Sequence, residues 1–262
     1  VYVHLAHPSA HVRTPQTFNR AFRARDIDAV AVSIDVAPAD LPDLVRGLKG
    51  WRNLGGIGVT MPHKEPIAAL CDEVMGIARL VGTVNAIRRE PDGRLVGANT
   101  DGSGFRAGLE QAGYSPTGKR VLLIGVGGAG TAIAFSLAQA GAREIALANR
   151  TAAKAETVAA KVAEAFPGTK TGAGAADPTG FDIVINATPL GMGATDALPL
   201  DVSKLAAETV VAEIVMRPER TRLVEEAERR GCRVHLGLPM LTCQIEEVIT
   251  FLGLDRPPAE AA

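Results

Sequence analysis

Residues 121–140 read VLLIGVGGAGTAIAFSLAQA, and this stretch decides the fold. Four apolar residues form a buried strand, a glycine turn follows, and Thr131 to Ala140 reads as a helix. Gly125, Gly127 and Gly130 give GxGxxG, with Gly128 and Ala129 completing the turn. Between a strand and a helix each glycine has a use. The first permits the tight turn, the second lets backbone approach a pyrophosphate, and the third lets helix pack on strand. The free N–H groups and positive dipole end of the helix then favour an anion. A bare GxGxxG also occurs in plain turns, so the flanking strand and helix carry the dinucleotide reading.

The same alternation runs outward. Downstream, Glu144 to Ala148 reads as a strand, Ala152 to Ala165 as a helix, FDIVINAT and VVAEIV as strands, and Glu219 to Arg230 as a helix closed by Gly231. Met240 to Leu252 reads as one further helix, and Asp255 to Ala262 as a frayed end. Upstream, Val1 to Ala6, Ala29 to Val36 and Ile57 to Thr60 read as strands, with helices at Pro15 to Arg23 and Leu41 to Leu48 between them. Pro91-Asp92-Gly93 marks a hairpin, and a helix is expected from Phe105 to Ala112. Strand–helix alternation implies mostly parallel sheets. The expected class is α/β with two domains.

Composition narrows the function. Hydrophobic residues make up 47% of the 262, enough for a substantial core, and the net charge of -1 leaves no basic excess for nucleic acid. The apolar runs fall short of a membrane span, and VYVHLAHPSA has no charged-then-apolar leader pattern. Because the chain starts at Val1, a few residues are expected to precede it. Three scattered cysteines without CxxC spacing read as reduced thiols of a cytoplasmic protein, and no metal-ligand spacing is present. His4, His7 and His11 read as polar loop residues.

The end of the second strand of the glycine-turn unit selects the cofactor. An NAD fold places a carboxylate there for the ribose hydroxyls. This chain has Asn149-Arg150-Thr151 with Lys154 beyond, so nothing repels a 2′-phosphate, and two cations and a hydroxyl can bind it. NADP is expected over NAD. An ordinary polar loop with Thr151 as helix N-cap fits the same residues. Lys64, in GVTMPHKE, follows a strand; Asp101, in GANTDGSGF, precedes a glycine-rich bend. Singly, each reads as a surface lysine and a turn aspartate. Together they can hold a hydroxyl while hydride leaves for a nicotinamide and one of them shuttles the proton.

The chain resembles the shikimate dehydrogenases over nearly its whole length. VTMPHK, GTVNA, GANTDGSGF, LLIGVGGAG, ANRT, INATPLGM and GLPMLTCQ occur in family order. The resemblance implies a substrate domain of residues 1–99 completed by 236–262, and a Rossmann NADP domain of residues 100–235, with a cleft between them. It implies Lys64 as acid/base group and Asp101 as the residue orienting the reacting hydroxyl. Thr60, Asn85 and Gln244 match residues that bind other ring hydroxyls. Asn149 to Lys154 match the adenosine-phosphate loop, and Thr188, Ile214 and Gly237 match the cofactor side. The implied partner is a small cyclic hydroxy acid: shikimate, quinate or an amino relative.

The resemblance breaks at the substrate carboxylate. Val12 and Thr14 stand where the family has two serines, and Met216 where it has a tyrosine. Ala86, Gly58 and His63 replace the usual Thr, Asn and Phe. Each lost hydrogen bond to a charged group removes about 1.5–3 kcal/mol. Two lost bonds weaken binding by roughly two to four powers of ten. Arg13 or Arg217 could restore a carboxylate contact, or both could be solvated. The expectation is an NADP-dependent dehydrogenase of this type with shifted specificity. Its rivals are a non-catalytic NADP-binding paralogue and a methylenetetrahydrofolate dehydrogenase-like enzyme, the second of which leaves NTDGSGF unexplained. Monomer and homodimer both remain open.

Overall fold

The computed structural model describes residues 1–10 and 12–255; His11 and most of the expected frayed end lie outside them. The chain divides into two units: Val1–Thr100 with the segment from Gln244 onward, and Asp101–Cys243.

The first unit opens with β1 (Tyr2–Ala6), α1 (Thr14–Ala24), β2 (Ala31–Asp35), α2 (Leu41–Lys49) and β3 (Gly56–Val59). A short β4 (Glu73–Val74) and α3 (Gly76–Val81) precede the hairpin β5 (Ala86–Arg89) and β6 (Leu95–Ala98). The sheet order is β2-β1-β3-β5-β6-β4. β1 runs parallel to both neighbours, and β5 is antiparallel to β3 and β6. All five residues of β1 are buried, as expected of a strand covered on both faces. On one face Leu41, Val45 and Leu48 of α2 pack with Leu5, Ile57 and Val59. On the other, Phe18 and Phe22 of α1 meet Tyr2.

The second unit begins with α4 (Asp101–Gln111), then β7 (Arg120–Ile124), α5 (Gly128–Gln139), β8 (Glu144–Ala148) and α6 (Ala152–Ala165). It continues through β9 (Lys170–Ala173), β10 (Ile183–Asn186), β11 (Val210–Glu213), α7 (Arg222–Arg229) and β12 (Arg233–His235) to α8 (Leu238–Thr242). The order β9-β8-β7-β10-β11-β12 is wholly parallel. This is the doubly wound dinucleotide arrangement, whose order reverses between β7 and β10.

The sequence reading differs from the structure in several helices: α5 starts at Gly128, three positions before Thr131, and α3 was not anticipated. α4 starts at Asp101, four positions before Phe105, because its glycines are packing positions. α7 starts at Arg222, behind the Thr221 cap, whose hydroxyl accepts the Val224 N–H. Met240 to Leu252 is two helices, α8 and α9 (Ile245–Leu252), which serve different cores. α8 packs on α4, while Ile245, Val248, Ile249 and Leu252 join Tyr2, Phe18 and Phe22. The chain therefore returns to the first unit at Gln244, later than residue 236.

A Cβ on Gly102 would sit 2.2 Å from the Ala132 carbonyl oxygen of α5. Gly102→Ala must push α4 off α5. It is expected to cost about 1–3 kcal/mol, read as a lower midpoint in denaturant unfolding.

Candidate active site

In the second unit the glycine turn lies at the sheet's reversal point. Gly125 has φ +99, a conformation that a side chain would strain, and a Cβ there would meet Ala187 at 2.8 Å. A Cβ on Gly130 would lie 2.0 Å from the Gly125 oxygen, so α5 can close on the turn only with glycine at that position. Gly127 faces open space, with nothing within 4 Å of its virtual Cβ, at the N-terminus of the twelve-residue α5. Gly128 and Ala129 form the first helical positions and are half-buried. Two glycines are tight and the middle one is open, which fits a pyrophosphate approaching the helix end.

Asn149 stands just past the end of β8, half-buried. Its Oδ1 accepts the Val126 N–H at 3.3 Å, and its Nδ2 donates to the Thr151 oxygen at 3.0 Å, fastening the end of β8 to the turn. Arg150, Thr151 and Lys154 are exposed beyond it. Thr151 occupies the N-cap position of α6, but its side chain makes no capping bond. The loop after β10 is built on Asn186, whose Oδ1 accepts both the N–H (3.1 Å) and the hydroxyl (2.7 Å) of Thr188. Gly237 packs against Ile214 and Val215: a Cβ on it would meet the Val215 oxygen at 2.4 Å. Met216 is half-buried and Arg217 exposed. Asp101 is buried at the first position of α4.

In the first unit Asn85 and Gln244 come together, with Thr100 between them. Asn85 Nδ2 donates to Thr100 Oγ1 (3.1 Å) and Gln244 Oε1 (3.2 Å). Thr100 returns its N–H to Asn85 Oδ1 (2.9 Å) and its hydroxyl to Gln244 Oε1 (2.6 Å). Thr100 was missed in the sequence; its only signal was its place in NTDG. Lys64 is half-buried in the turn after β3, where its carbonyl accepts the Val84 N–H at 2.8 Å. Thr60 follows β3 directly, its N–H bonded to the Leu5 carbonyl at 3.0 Å. His63 is fully buried and hydrogen-bonded to the Val36 carbonyl at 2.9 Å. Val12 is buried, Thr14 half-buried at the start of α1, and Arg13 exposed.

The histidines are not equivalent loop residues. His7 is exposed and donates to Asp35 at 2.8 Å. His4 lies inside β1 and is buried, with Nδ1 lacking any hydrogen-bond partner. Gly58 makes its place: a Cβ there would fall 2.3 Å from His4 Nδ1 and 2.1 Å from the Tyr2 hydroxyl. Burial pushes the His4 imidazole down to about 3, and the positive charge of Lys64 adds to the shift. Among the described residues no group of three or more His, Cys, Asp or Glu is gathered for a metal, and no helix is long and apolar enough to cross a membrane.

Comparison with known proteins points one way. A family model described as the shikimate dehydrogenase substrate binding domain matches residues 5–87, and one described as shikimate / quinate 5-dehydrogenase matches residues 109–190. A shikimate dehydrogenase (NADP(+)) from Rubrobacter xylanophilus is 40% identical over 263 aligned residues, covering 96% of this chain and 90% of that protein. Ligand-free 5-ketofructose reductase from a Gluconobacter strain superposes with a TM-score of 0.86 at 35% identity, covering 97% of this chain and 95% of that one. The shikimate 5-dehydrogenase of Thermus thermophilus, solved with NADP(H) and shikimate, gives 0.87 at 29% identity, covering 97% and 96%.

His4 gives a pH signature. Its folded pKa lies below the unfolded value, so its neutral burial is stabilising above about pH 6.5. That stability is lost as pH falls toward the folded value near 3. Between those limits the wild type should lose up to about 1.4 kcal/mol more per pH unit than His4→Leu, measured by urea unfolding of both proteins at pH 7 and pH 5.

Proposed function

The chain belongs to the shikimate dehydrogenase family, and from that premise we propose that Lys64 and Asp101 carry its reaction. It is an NADP-dependent oxidoreductase that interconverts a ring hydroxyl and a ketone on shikimate or a close relative. The observation behind the reading is a Rossmann unit with a phosphate-ready glycine turn and no carboxylate after β8, in one chain with Lys64 and Asp101.

The roles follow from the family resemblance together with the chemistry of the groups. Gly125 to Gly130 hold the pyrophosphate, and Arg150, Thr151 and Lys154 hold the 2′-phosphate. Thr188, Ile214 and Gly237 line the nicotinamide side. NADPH, when bound, supplies the hydride for reduction, and NADP accepts it for oxidation. In reduction the Lys64 ammonium gives its proton to the carbonyl oxygen; in oxidation the amine takes that proton back, with Asp101 orienting the hydroxyl. Asn85 and Gln244, already oriented through Thr100, bind further hydroxyls of the ring, as does Thr60. The chemistry needs only one chain, so a monomer or a homodimer serves it. A cytoplasmic place suits its free cysteines.

A second reading of the substrate has its own support. Val12 is buried and apolar, Met216 is a thioether, and Arg13 and Arg217 are exposed. Val12 and Met216 offer a carboxylate no hydrogen bond and so suit a substrate without one, and the likeness to 5-ketofructose reductase agrees with that. A panel of shikimate, quinate, aminoshikimate and 5-ketofructose, followed at the nicotinamide absorbance with both cofactors, separates the readings. Tight NADP binding with a flat trace on every compound would make the chain a sensor.

Lys64→Ala should lower turnover on the accepted substrate by about two to four powers of ten; undiminished turnover removes Lys64 from the mechanism. Arg150→Ala with Lys154→Ala should raise KM for NADP by about one to two powers of ten and leave that for NAD nearly unchanged, because only the 2′-phosphate loses its partners.

A further inference from the structure

Glu213 closes β11 and is wholly buried in a strand whose other members are Val, Val and Ala. Each of its partners is a donor. Asn186 Nδ2 lies at 3.0 and 3.1 Å from its two oxygens, the Ile214 and Val215 N–H groups at 2.9 and 3.0 Å, and the Thr221 hydroxyl at 2.9 Å. The Asn186 amide and the two backbone N–H groups can only donate, so a protonated carboxyl could give its hydrogen to the Thr221 hydroxyl alone. Burial pushes its proton affinity up, and the hydrogen bonds it accepts oppose that rise, a donor set that suits the ionised carboxylate. None of the four donor residues is cationic, so they solvate the charge without cancelling it.

The location gives that charge a use. Glu213 is the register partner of Asn186, and both stand at the carboxyl ends of their strands in the half of the sheet beyond the reversal point. In this strand order the second half receives the second mononucleotide of the cofactor. The same carboxylate sets the loops on either side. It fixes the Asn186 amide, which then holds Thr188, and it pins the backbone of Ile214.

We propose that Glu213 is a buried anion that biases this unit toward the oxidised dinucleotide, whose nicotinamide ring is cationic, over the reduced one, whose ring is neutral. The proposal rests on the cofactor reading above. An uncompensated negative charge in a low-dielectric surround stabilises a nearby positive one and leaves a neutral ring unaffected.

The test is calorimetric titration of the full-length wild type, Glu213→Gln and Glu213→Asp with NADP+ and with NADPH. Glu213→Gln should raise the ratio of Kd for NADP+ to Kd for NADPH by about three- to tenfold. Glu213→Asp, which keeps the charge, should leave the ratio within about twofold while weakening both forms. Equal weakening of both forms by Glu213→Gln would reduce Glu213 to a structural clamp and overturn the proposal alone. A wild type that binds neither form would overturn the cofactor reading as well. Should Glu213→Gln fail to fold, the wild-type ratio decides: binding of NADP+ at least as tight as that of NADPH supports the proposal, and tighter binding of NADPH overturns it.

Discussion

The bond from the Thr100 hydroxyl to the Gln244 side-chain oxygen joins the two places where the chain passes between its units. Thr100 is the last residue before the first passage and Gln244 the first after the second. Asn85, from the turn before β5, completes the network with both of its side-chain atoms. Buried polar groups of this kind are tolerated only when they are satisfied, and a satisfied network specifies one geometry. The candidate hydroxyl-binding residues of the first unit are therefore held in place by the same bonds that fix its closure.

Two buried titratable groups are handled in opposite ways, and the difference follows from their partners. The Glu213 pKa is raised by burial, but the side chain sits among four donor groups that favour its charged form. His4 has no partner at Nδ1 and a cation in its neighbourhood, so it is neutral. Desolvation acts on both, and the local donors and charges decide the outcome. Gly58 is what admits His4: any larger residue there would displace the imidazole or the Tyr2 ring.

Much of the architecture was legible because its signals are local. The run VLLIGVGGAG carries its strand, turn and helix start within ten residues, and the apolar runs of β1, β8 and α2 have the right period. What stayed hidden depends on distant packing. Asp101 to Gly104 looks like a bend, yet Gly102 lets α4 lie against α5. β9 is an exposed edge strand with little apolar pattern, and β12 has three residues. The break at Cys243-Gln244 has no Pro or Gly to announce it; it exists because α8 and α9 belong to different cores. Of the site, the glycine turn and the loop after β8 were readable from their composition. Thr100 was not, since a threonine beside an aspartate looks like any cap. Glu213 left one overlooked trace, a lone acid in the apolar run VVAEIV.

The polar tie between Thr100 and Gln244 has a further meaning for the chain as a polymer. Residues 101–243 are an insertion whose entry and exit are already neighbours, and α9 completes the host by packing beside β1, the strand that opens it. The host needs no long connection to be whole: a short linker from residue 100 to residue 244 would restore an unbroken polypeptide. The excised guest would retain its entire parallel sheet. In topological terms the protein is one fold housed within an interruption of another, and each is separable at a single pair of peptide bonds.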